Sequence, residues 1–572
     1  MIDEEVREGI KKAAIKNAIS YGKARSATVT GSVLSLFPEL KANLKELSAE
    51  VEKEVSRVNK LNKAELEKES KAYALEFREE EKARAEKTAK PKMTLEGAEK
   101  GNFVTRFPPE PNGYMHIGHA KAAFMEREFT DIYSGKIGLY FDDTNPETEK
   151  QEYVDAFKND LKWLGIKFDT EYFASDNIER MYEYATTLLN DGYAYVCFCA
   201  PEEVRENRSS GKECKHKKQS KKENAKLWEA MLDKKSTNCI LRFNGNIKDT
   251  NTAMRDPTLF RIKTEHHYRQ GSKYAVWPTY DFNTPIMDSI NGVTDALRSK
   301  EYELRDELYY KILDLLKLRK PRIRSFARLE IENNITSKRK LKELINGGKL
   351  WGYDDPRLVT ISGLRRRGIH PKAIREFVLR FGMSKSESVV KMEMLLAENR
   401  KIVDYTSKRL FFVENPIKVA VEGIPKEKQK VKIAVHPKNN LGTRQYSLAS
   451  EFFINASDAS TIKKGDKLRL KDAFDIEIER KDKNALSAKY VPTADSNAPR
   501  VQWVNQGNYL GCKALMIGDL LDGESFNSKG IVAKEGFVEA YANELEDGEV
   551  VQFERTGFFK LDSKKDMSFF SL

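Results

Sequence analysis

The chain has 572 residues, more than one hydrophobic core supports, and this length predicts about three to five domains. Charged residues make up 33% and hydrophobic residues 40%, and no apolar run approaches the ~20 residues that a membrane-spanning helix needs. The net charge of +12 favours a polyanionic partner, and five cysteines, an odd number, argue for a reducing compartment. We therefore expect a cytoplasmic protein without a membrane segment.

The chain begins with residues 1–95, which are predicted to form a helical N-terminal module ending in a long charged segment. From Asn102 the pattern changes to alternating strands and helices. "NFVTRF" and "IGLYFDD" are predicted strands, and helices are predicted over "HAKAAFMEREFTDIY", from His119, and "VDAFKNDLKWLG". This order predicts a parallel sheet with crossover helices over residues 96–195 and 270–320.

Three further segments complete the predicted organisation. Residues 196–269 interrupt the α/β order and are expected to form an inserted domain. Helices dominate residues 321–410, where "GMSKSE" should end one helix at Gly382 and begin another at Ser384 through a capping box with Glu387. Alternating apolar and polar residues over 411–572, as in "VVQFERTGFFKLD", predict antiparallel β-barrels. The fold class is therefore multidomain α/β plus β.

The stretch "RFPPEPNGYMHIGHAKA", residues 106–122, holds two of the seven histidines behind a loop that cannot be helical. A loop in this position lies at the carboxyl edge of a parallel sheet, and the next helix offers free amides to a phosphate. Gly113 and Gly118 allow close backbone approach, and His116 and His119 can donate hydrogen bonds from one side of the first turn. A metal pair would need a third ligand nearby. The stretch therefore predicts a phosphate-handling site.

The predicted inserted domain holds a second constellation in "CFCAPEEVRENRSSGKECKH", namely Cys197, Cys199, Cys214 and His216. Three sulfurs and an imidazole can form a tetrahedral zinc site, and four protein ligands would leave it structural rather than catalytic. The C-x-C spacing is tighter than the usual C-x₂-C, so buried or free cysteines beside a histidine stay open as the alternative.

Several motifs occur in order along the chain: "PEPNGYMHIGH", "YFDDTNPE", "RDPTLFRI", "WPTYDFNTPIMDSINGVTDALRS", "WGYDDPRLVTISGLRRRG" and "VQFERTGF". Together they resemble the glutamyl and glutaminyl group of class I aminoacyl-tRNA synthetases, over residues 102–572. The resemblance implies a Rossmann-type catalytic domain with an inserted acceptor-stem-binding domain, a helical connector with a Ser-Lys-Arg loop, and two anticodon-binding β-barrels. Barrels at this end are typical of the archaeal or eukaryotic glutamyl enzymes, and we expect a monomer.

The resemblance also implies the ATP site. Class I enzymes have a second signature whose lysine holds the phosphates, and both "ITSKRKL" and "GMSKSE" offer one. The first follows the nucleotide fold and matches the family form except at Thr336, whereas a capping box explains the second, so Lys338 is the predicted lysine. The implied catalytic residues are His116, His119 and Lys338. The implied ATP-binding residues are Pro109, Glu110, Pro111, Asn112, Gly113, His116, Gly118, His119, Arg328, Leu329, Ser337 and Lys338, with Mg²⁺ on the phosphates.

Four further residues are implied to bind the amino acid. Asp142 matches a family carboxylate that pairs with the α-amino group, Tyr280 lies beside the same substrate, and Arg106 matches an arginine that pairs with a substrate carboxylate. Arg298 distinguishes the group members, because glutamyl enzymes have arginine there and glutaminyl enzymes have a small neutral residue. A buried guanidinium favours a carboxylate over an amide, so the resemblance implies glutamate.

The implied activity is ATP-dependent ligation of glutamate to the 3′ end of tRNA(Glu) through a glutamyl-adenylate, with tRNA(Gln) open as a second acceptor. Three other interpretations stay open. A glutaminyl-tRNA synthetase is disfavoured by Arg298. A tRNA-binding protein without catalysis is disfavoured by the intact residues His116, His119 and Lys338. An enzyme that attaches glutamate to a modified base is disfavoured by the long barrel region.

Overall fold

The computed structural model describes residues 2–74, 76–77, 93–236, 238–492 and 498–572. The chain divides into two compact units, Met1–Lys90 and Pro91–Leu572. The end of the charged segment that was predicted to close the N-terminal module lies outside the described residues. Among the helices that the structure describes, none combines the length and the apolar character that crossing a membrane requires.

The first unit is helical throughout its described residues, apart from short connections. The side chain of Asp3 caps the first helix by accepting from Val6 N at 2.9 Å, and Gly22 ends that helix with φ at 75°. Aliphatic side chains of the first three helices, including Ile10, Val33 and Val51, form the core. The α-helices are α1 (Glu4–Tyr21), α2 (Ser26–Leu36), α3 (Leu44–Val58) and α4 (Lys63–Ser70).

Strands and helices alternate through the first part of the second unit, as the sequence predicts. The strands predicted from "NFVTRF" and "IGLYFDD" are present, and the helix after the opening loop begins at Ile117, two residues before the predicted start. The elements are β1 (Val104–Phe107), α5 (Ile117–Ile132), β2 (Lys136–Phe141), α6 (Gln151–Leu164), β3 (Thr170–Phe173), α7 (Ile178–Asp191), β4 (Ala194–Cys197), α8 (Pro201–Ser210), α9 (Lys221–Leu232), β5 (Ile240–Phe243), β6 (Thr258–Ile262), β7 (Val276–Pro278), α10 (Tyr280–Ile290), β8 (Asp295–Ser299), α11 (Asp306–Leu315) and β9 (Arg322–Phe326).

The parallel strands bring distant segments to one sheet edge. β1, β2 and β3 pair in parallel, and β8 pairs in parallel with β9. Thr294 links the two groups, because its N–H donates to Val104 O at 2.8 Å and its Oγ1 accepts from Val104 N at 2.9 Å. The carboxyl ends of β1, β2 and β8 therefore lie side by side, where parallel sheets bind ligands.

An antiparallel sheet of β4, β5, β6 and β7, in that order, interrupts the parallel strands. β5 and β6 lie within the predicted insertion of residues 196–269, whereas β4 begins before it and β7 follows it. Helices α8 and α9 lie between β4 and β5 in the chain, and Trp228 of α9 is buried against the sheet.

The segment after β9 is mainly helical, but one predicted helix start is wrong. Ser384 begins no helix, because residues 388–390 form a strand that pairs in parallel with residues 329–331. Ser384 Oγ instead accepts from Ser386 N at 3.1 Å within a turn. A capping box acts only on its own segment, and here pairing with the strand that begins at Leu329 determines the structure instead. The elements are β10 (Leu329–Ile331), α12 (Lys338–Asn346), α13 (Ile361–Arg367), α14 (Pro371–Leu379), β11 (Ser388–Val390) and α15 (Met392–Thr406).

Two barrel-like seven-stranded sheets form the C-terminal region, which confirms the predicted β region. Strands within residues 408–414 and 509–571 form one sheet. Strands within residues 416–491 and 500–505 form the other. The strands are β12 (Lys408–Leu410), β13 (Phe412–Glu414), β14 (Pro416–Glu422), β15 (Lys430–Ala434), β16 (Thr443–Ser447), β17 (Glu451–Asn455), β18 (Lys467–Leu470), β19 (Asp475–Lys481), β20 (Ala485–Val491), β21 (Arg500–Val501), β22 (Val504–Asn505), β23 (Tyr509–Ile517), β24 (Leu521–Asp522), β25 (Ser525–Phe526), β26 (Ile531–Glu539), β27 (Val550–Phe553), β28 (Gly557–Ser563) and β29 (Ser568–Ser571), with helix α16 (Ala456–Thr461) after β17.

Candidate active site

The two histidines of the opening stretch lie at the first turn of α5. His116 is the N-cap residue, and its Nδ1 accepts from Gly118 N at 3.1 Å, while His119 Nδ1 accepts from His116 N at 3.3 Å. The two ring centroids are 3.9 Å apart. Because each Nδ1 is an acceptor, the proton of each neutral imidazole is on Nε2. The pair therefore offers two N–H donors on the ring edges opposite the helix backbone.

Both imidazoles are neutral near pH 7. Burial, together with the nearby charges of Lys338 and Arg328, lowers the pKa of His116 to about 4. Burial also lowers the pKa of His119 well below its ordinary value, with His116 and Lys338 as further causes. Gly118 permits this packing, because a β-carbon at that position would lie 2.9 Å from His116 Cε1.

Lys338, the first residue of α12, lies against the same loop. A β-carbon built on Gly113 would lie 3.0 Å from Lys338 Cε, and Ser337 is the N-cap residue of the helix. Burial lowers the pKa of Lys338, whereas the carboxylates of Glu110 and Glu149 raise it. A small cavity joins the two segments and is lined by Asn112, Gly113, His116, Thr336, Lys338 and Tyr353 among others.

The alternative lysine lies in a different environment. Lys385 pairs with Glu303 at 2.6 Å, and 64% of its side chain is exposed. The structure thus brings Lys338 and the histidines together, whereas Lys385 occupies a turn beside β10. The assignment of Lys338 to the phosphates stays a prediction, and this juxtaposition favours it.

The Pro/Gly loop is held by backbone hydrogen bonds from neighbouring segments. Pro109 O accepts from Asp142 N, and Pro111 O accepts from Lys150 N, both at 3.1 Å. Asn112 Oδ1 is buried without a hydrogen-bond partner among the described groups, so it is available to a ligand donor. The loop is therefore a fixed platform in front of α5.

Arg328 and Leu329, two of the implied ATP-binding residues, lie where the chain enters β10. Leu329 is buried, and its carbonyl oxygen lies 4.0 Å from the β-carbon position of Gly118. The Arg328 side chain is exposed and pairs with Glu301. Leu329 is thus adjacent to the turn that holds His116 and Gly118, while the Arg328 side chain lies at the protein surface.

Asp142 follows β2 and contacts helix α10. Asn283 Nδ2 donates to Asp142 Oδ1 at 2.6 Å, and Tyr280 precedes Asn283 by one turn of the same helix. Burial, together with Glu110 and Asp143, raises the pKa of Asp142 to about 7, although the charge of Arg261 and the Asn283 hydrogen bond act in the opposite direction. A cation that binds beside Asp142 would lower the pKa of this carboxyl group and so favour its ionised form.

Arg298 on β8 lies beside Tyr280. Its Nη1 donates to Tyr280 Oη at 3.3 Å, and its Nη2 pairs with Asp306. The side chain is buried, and its Nε has no hydrogen-bond partner among the described groups. An unpartnered buried guanidinium N–H is costly, and a substrate carboxylate would satisfy it.

Each of the three guanidinium nitrogens of Arg106, on β1, already donates to a protein group. Its Nε and Nη2 donate to Asp288 at 2.6 and 3.1 Å, and its Nη1 donates to Leu297 O at 2.9 Å. The side chain is buried. Asp288 is therefore the carboxylate that Arg106 binds in this structure. The expected contact of Arg106 with a substrate carboxylate would require Arg106 to release Asp288.

The four predicted metal ligands are clustered. The ligand atoms of Cys197, Cys199, Cys214 and His216 all lie within 4.8 Å of one another. Cys214 Sγ lies 3.6 Å from both other sulfurs and 3.4 Å from His216 Nδ1. Tetrahedral zinc with bonds of about 2.0–2.3 Å separates its ligand atoms by roughly 3.3–3.8 Å, so the cluster fits that ion. Arg242 Nη1 approaches Cys197 Sγ at 3.8 Å, and a buried cation there would offset thiolate charge.

A cleft of about 840 Å³ opens where the two C-terminal sheets meet. Its lining combines cationic, amide and carboxylate side chains, namely Arg409, Lys432, Lys471, Arg555, Gln552, Asp404, Asp472 and Glu554. Lys471 pairs with Glu554, and Arg555 pairs with Asp458 at 2.9 Å. Gln552 and Arg555 belong to the motif "VQFERTGF", so this motif contributes to a cleft lined by charged and hydrogen-bonding groups.

Sequence reasoning missed Asn283 and the environment of His267. Asn283 lies inside α10, where an asparagine has no distinctive local pattern, and its contact with Asp142 depends on the packing of that helix against β2. His267 is buried beside Trp277 and lies 3.1 Å from Asp143 O through Nε2. Neither contact has a signal in residue spacing.

Comparison with known proteins gives matches along most of the chain. The family described as tRNA synthetases class I (E and Q), catalytic domain, matches residues 102–404, and two anticodon-binding-domain families of the same group match residues 407–491 and 500–562. The glutamate–tRNA ligase of Nitrosopumilus maritimus is 41% identical over 99% of this chain and 100% of its own length. Those of Cenarchaeum symbiosum and Korarchaeum cryptofilum are 38% and 36% identical, over 97% and 99% of both chains.

Proposed function

The chain belongs to the class I aminoacyl-tRNA synthetases of the glutamate and glutamine group, and we propose that it ligates glutamate to tRNA with ATP. This membership confirms the resemblance that the ordered motifs predicted. The observation that carries the proposal is the convergence of His116, His119 and Lys338 on the loop at Gly113. Full-length similarity to glutamate–tRNA ligases supports the same activity.

In the first step, a carboxylate oxygen of glutamate attacks the α-phosphorus of ATP, and the bond to pyrophosphate breaks. The Nε2–H groups of His116 and His119 donate to phosphate oxygens, and the Lys338 ammonium neutralises the charge that develops on them. Because these groups are fixed before ATP binds, little reorganisation accompanies the reaction. Mg²⁺ bound to the phosphates would supply further positive charge.

In the second step, the terminal 2′-hydroxyl of the tRNA attacks the glutamyl carbonyl and forms the ester, the bond between the carbonyl carbon and the phosphate oxygen breaks to release AMP, and the hydroxyl proton passes to solvent. The neutral histidines would again donate to the phosphate that departs. No side chain of this chain is required to form a covalent intermediate, since positioning and charge stabilisation suffice for phosphoryl and acyl transfer of this kind.

Glutamate is the proposed amino acid because of the charges in the pocket. Asp142 would bind the α-ammonium group, and Tyr280 would lie beside the substrate. The unpartnered Nε of Arg298 would donate to the γ-carboxylate. Glutamine would present an amide nitrogen to guanidinium donors, which leaves one of them unsatisfied.

We also propose that Cys197, Cys199, Cys214 and His216 hold one zinc ion with a structural role. The distances among their ligand atoms support this assignment over free cysteines. Four protein ligands leave no open coordination position, so the ion would stabilise the fold around β4 rather than take part in the reaction.

The tRNA is proposed to bind along the second unit, with its anticodon at the two C-terminal sheets. The matches to anticodon-binding domains support this placement, and the cleft lined by Arg409, Lys432 and Gln552 offers phosphate and base contacts there. The tRNA for glutamate is the proposed acceptor.

The decisive experiment is aminoacylation of purified tRNA(Glu) and tRNA(Gln) with labelled glutamate or glutamine. We expect glutamate on tRNA(Glu) and little transfer of glutamine to either tRNA. Glutamine on tRNA(Gln) would identify the glutaminyl enzyme instead, and RNA binding without any transfer would identify a non-catalytic protein. Glutamate on tRNA(Gln) would extend the acceptor range.

A further inference from the structure

Asn283 is a buried polar residue of α10 with one amide atom satisfied and the other not. Its side chain is 0% exposed. Nδ2 donates to Asp142 Oδ1 and to Tyr140 Oη, both at 2.6 Å. Oδ1 is buried and has no hydrogen-bond partner among the described groups. Most buried acceptors in folded proteins have a hydrogen-bond partner, and a donor group of a bound ligand can supply the one that this oxygen lacks.

The orientation of this amide follows from its neighbours. Turning the amide over would place Oδ1 against the carboxylate of Asp142, where two acceptors repel each other. The nitrogen therefore faces Asp142 and Tyr140, and the oxygen is the amide atom left without a partner among the described groups. Tyr280 lies one turn earlier on the same helix and contacts Arg298, so α10 carries residues that contact both Asp142 and Arg298, the two groups proposed to bind the ends of the amino acid.

We propose that Asn283 is a binding residue for the α-ammonium group of the amino acid, together with Asp142. Its Oδ1 accepts one ammonium hydrogen, and its Nδ2 holds the Asp142 carboxylate in the orientation that accepts another. This inference rests on the proposed function, because it assumes that an amino acid binds at Asp142. An ammonium group carries three donors, and one carboxylate satisfies them incompletely in a dry pocket.

The charges of the site explain why an amide rather than a fourth carboxylate occupies this position. Asp142 is already close to Glu110 and Asp143, and both carboxylates raise its pKa. Another carboxylate would oppose its ionisation further, whereas an amide supplies an acceptor for the ammonium and a donor for Asp142 without net charge.

The test compares Asn283→Leu, which has a similar shape without polar atoms, with Tyr140→Phe, which removes only the second partner of Nδ2. Two ligands are measured in the presence of ATP and tRNA. One is glutamate, through its KM, and the other is glutarate, through its inhibition constant. Glutarate keeps both carboxylates and lacks the ammonium group, so it separates ammonium recognition from the shape of the pocket.

For Asn283→Leu we expect kcat/KM for glutamate to fall about ten- to hundred-fold, mainly through KM, because hydrogen bonds to charged groups are lost. The inhibition constant of glutarate and the KM of ATP should each change less than about threefold. Tyr140→Phe should leave all three nearly unchanged. Asn283→Ala is the second variant if the leucine perturbs folding, and it should show the same selective loss.

Equal weakening of glutamate and glutarate would make Asn283 a packing residue and overturn the inference. An unchanged KM for glutamate in both Asn283 variants would overturn it as well. If the wild-type protein itself fails to activate glutamate in the presence of tRNA, the proposed function fails instead, and the two failures are thereby distinguished.

Discussion

The side chain of Lys338 lies directly over Gly113, so that a β-carbon on the glycine would approach Lys338 Cε to 3.0 Å and Cδ to 3.1 Å. The two residues belong to segments far apart in the chain, the loop after β1 and the start of α12. Their contact closes one side of the cavity that also includes His116. An amine placed there reaches whatever anion binds at the first turn of α5.

Replacing Lys338 with alanine should slow adenylate formation about 10²–10³-fold, the usual effect of one lost electrostatic donor. Lys385→Ala is the matched control and should change little, because that lysine is exposed and pairs with Glu303. The measurement is pyrophosphate exchange with glutamate and tRNA present. Equal losses for both lysines would contradict the assignment of the phosphate-binding residue.

Gly118→Ala should impair ATP use with little loss of stability. The added β-carbon would lie 2.9 Å from His116 Cε1 and 3.1 Å from its Nδ1, so the imidazole must turn out of its capping position. We expect kcat/KM for ATP to fall at least about tenfold. Gly31→Ala is the control, since a β-carbon there meets nothing within 4 Å. A fully active Gly118→Ala protein would show that the histidine orientation is unimportant.

The pH dependence should report the ionisation of Asp142. Burial, with Glu110 and Asp143, raises the pKa of this carboxyl group to about 7, so it is protonated below that pH in the free protein. Protonation removes the negative charge that would bind an ammonium group, and kcat/KM for glutamate should fall as the pH is lowered through about 7. Arg261 favours the ionised form, so Arg261→Met should move this decline to higher pH. An identical profile for both proteins would exclude Asp142 as the titrating group.

Much of this arrangement was predictable because its signals are local. The loop at 106–122 combines prolines, glycines and histidines at a strand–helix junction, and the structure places both histidines at that junction. The clustering of Cys197 with His216 was likewise readable from residue types and spacing.

Other features depend on long-range packing and were not predictable. The capping box at Ser384 predicted a helix, but residues 388–390 form a strand that pairs with β10. Arg106 has Asp288 as its partner, and no local pattern links these residues across the sheet. Asn283 reaches Asp142 only because α10 packs beside the end of β2. Such contacts become visible only when the elements are assembled.

The purified protein should carry about one zinc ion per chain, as the four clustered ligand atoms indicate. Cys214→Ala should reduce the zinc content to well below one ion per chain. It should also lower the unfolding temperature, because the metal would link Cys197 at the end of β4 to His216. Cys512→Ala is the control, since it removes a buried cysteine outside the cluster. Elemental analysis checks the metal content, and metal-free wild-type protein that was never exposed to a chelator would rule out the site.

Arg298 provides the test of amino-acid choice. Its guanidinium is buried beside Tyr280 and Asp306, and its Nε has no partner among the residues that the structure describes, so a γ-carboxylate would gain a charge-assisted hydrogen bond. Glutamine cannot satisfy the same donor with its amide nitrogen, and an unmet donor in a buried site costs about 1–3 kcal/mol. This contact alone therefore corresponds to roughly ten- to hundred-fold discrimination.

Arg298→Cys removes the charge and frees space in the pocket. Glutamate use should fall sharply while the small activity with glutamine holds or rises, so the ratio of the two kcat/KM values should move toward glutamine. Asp306→Asn is the companion variant, because it removes the partner of Nη2 and keeps the guanidinium, and it should retain the preference for glutamate. Asp142 and Tyr280 are unaltered in both variants, so tRNA affinity should not change. If the ratio of the two kcat/KM values is the same in Arg298→Cys and in the wild type, Arg298 does not recognise the side chain of the substrate. The choice of glutamate must then depend on other groups of the pocket.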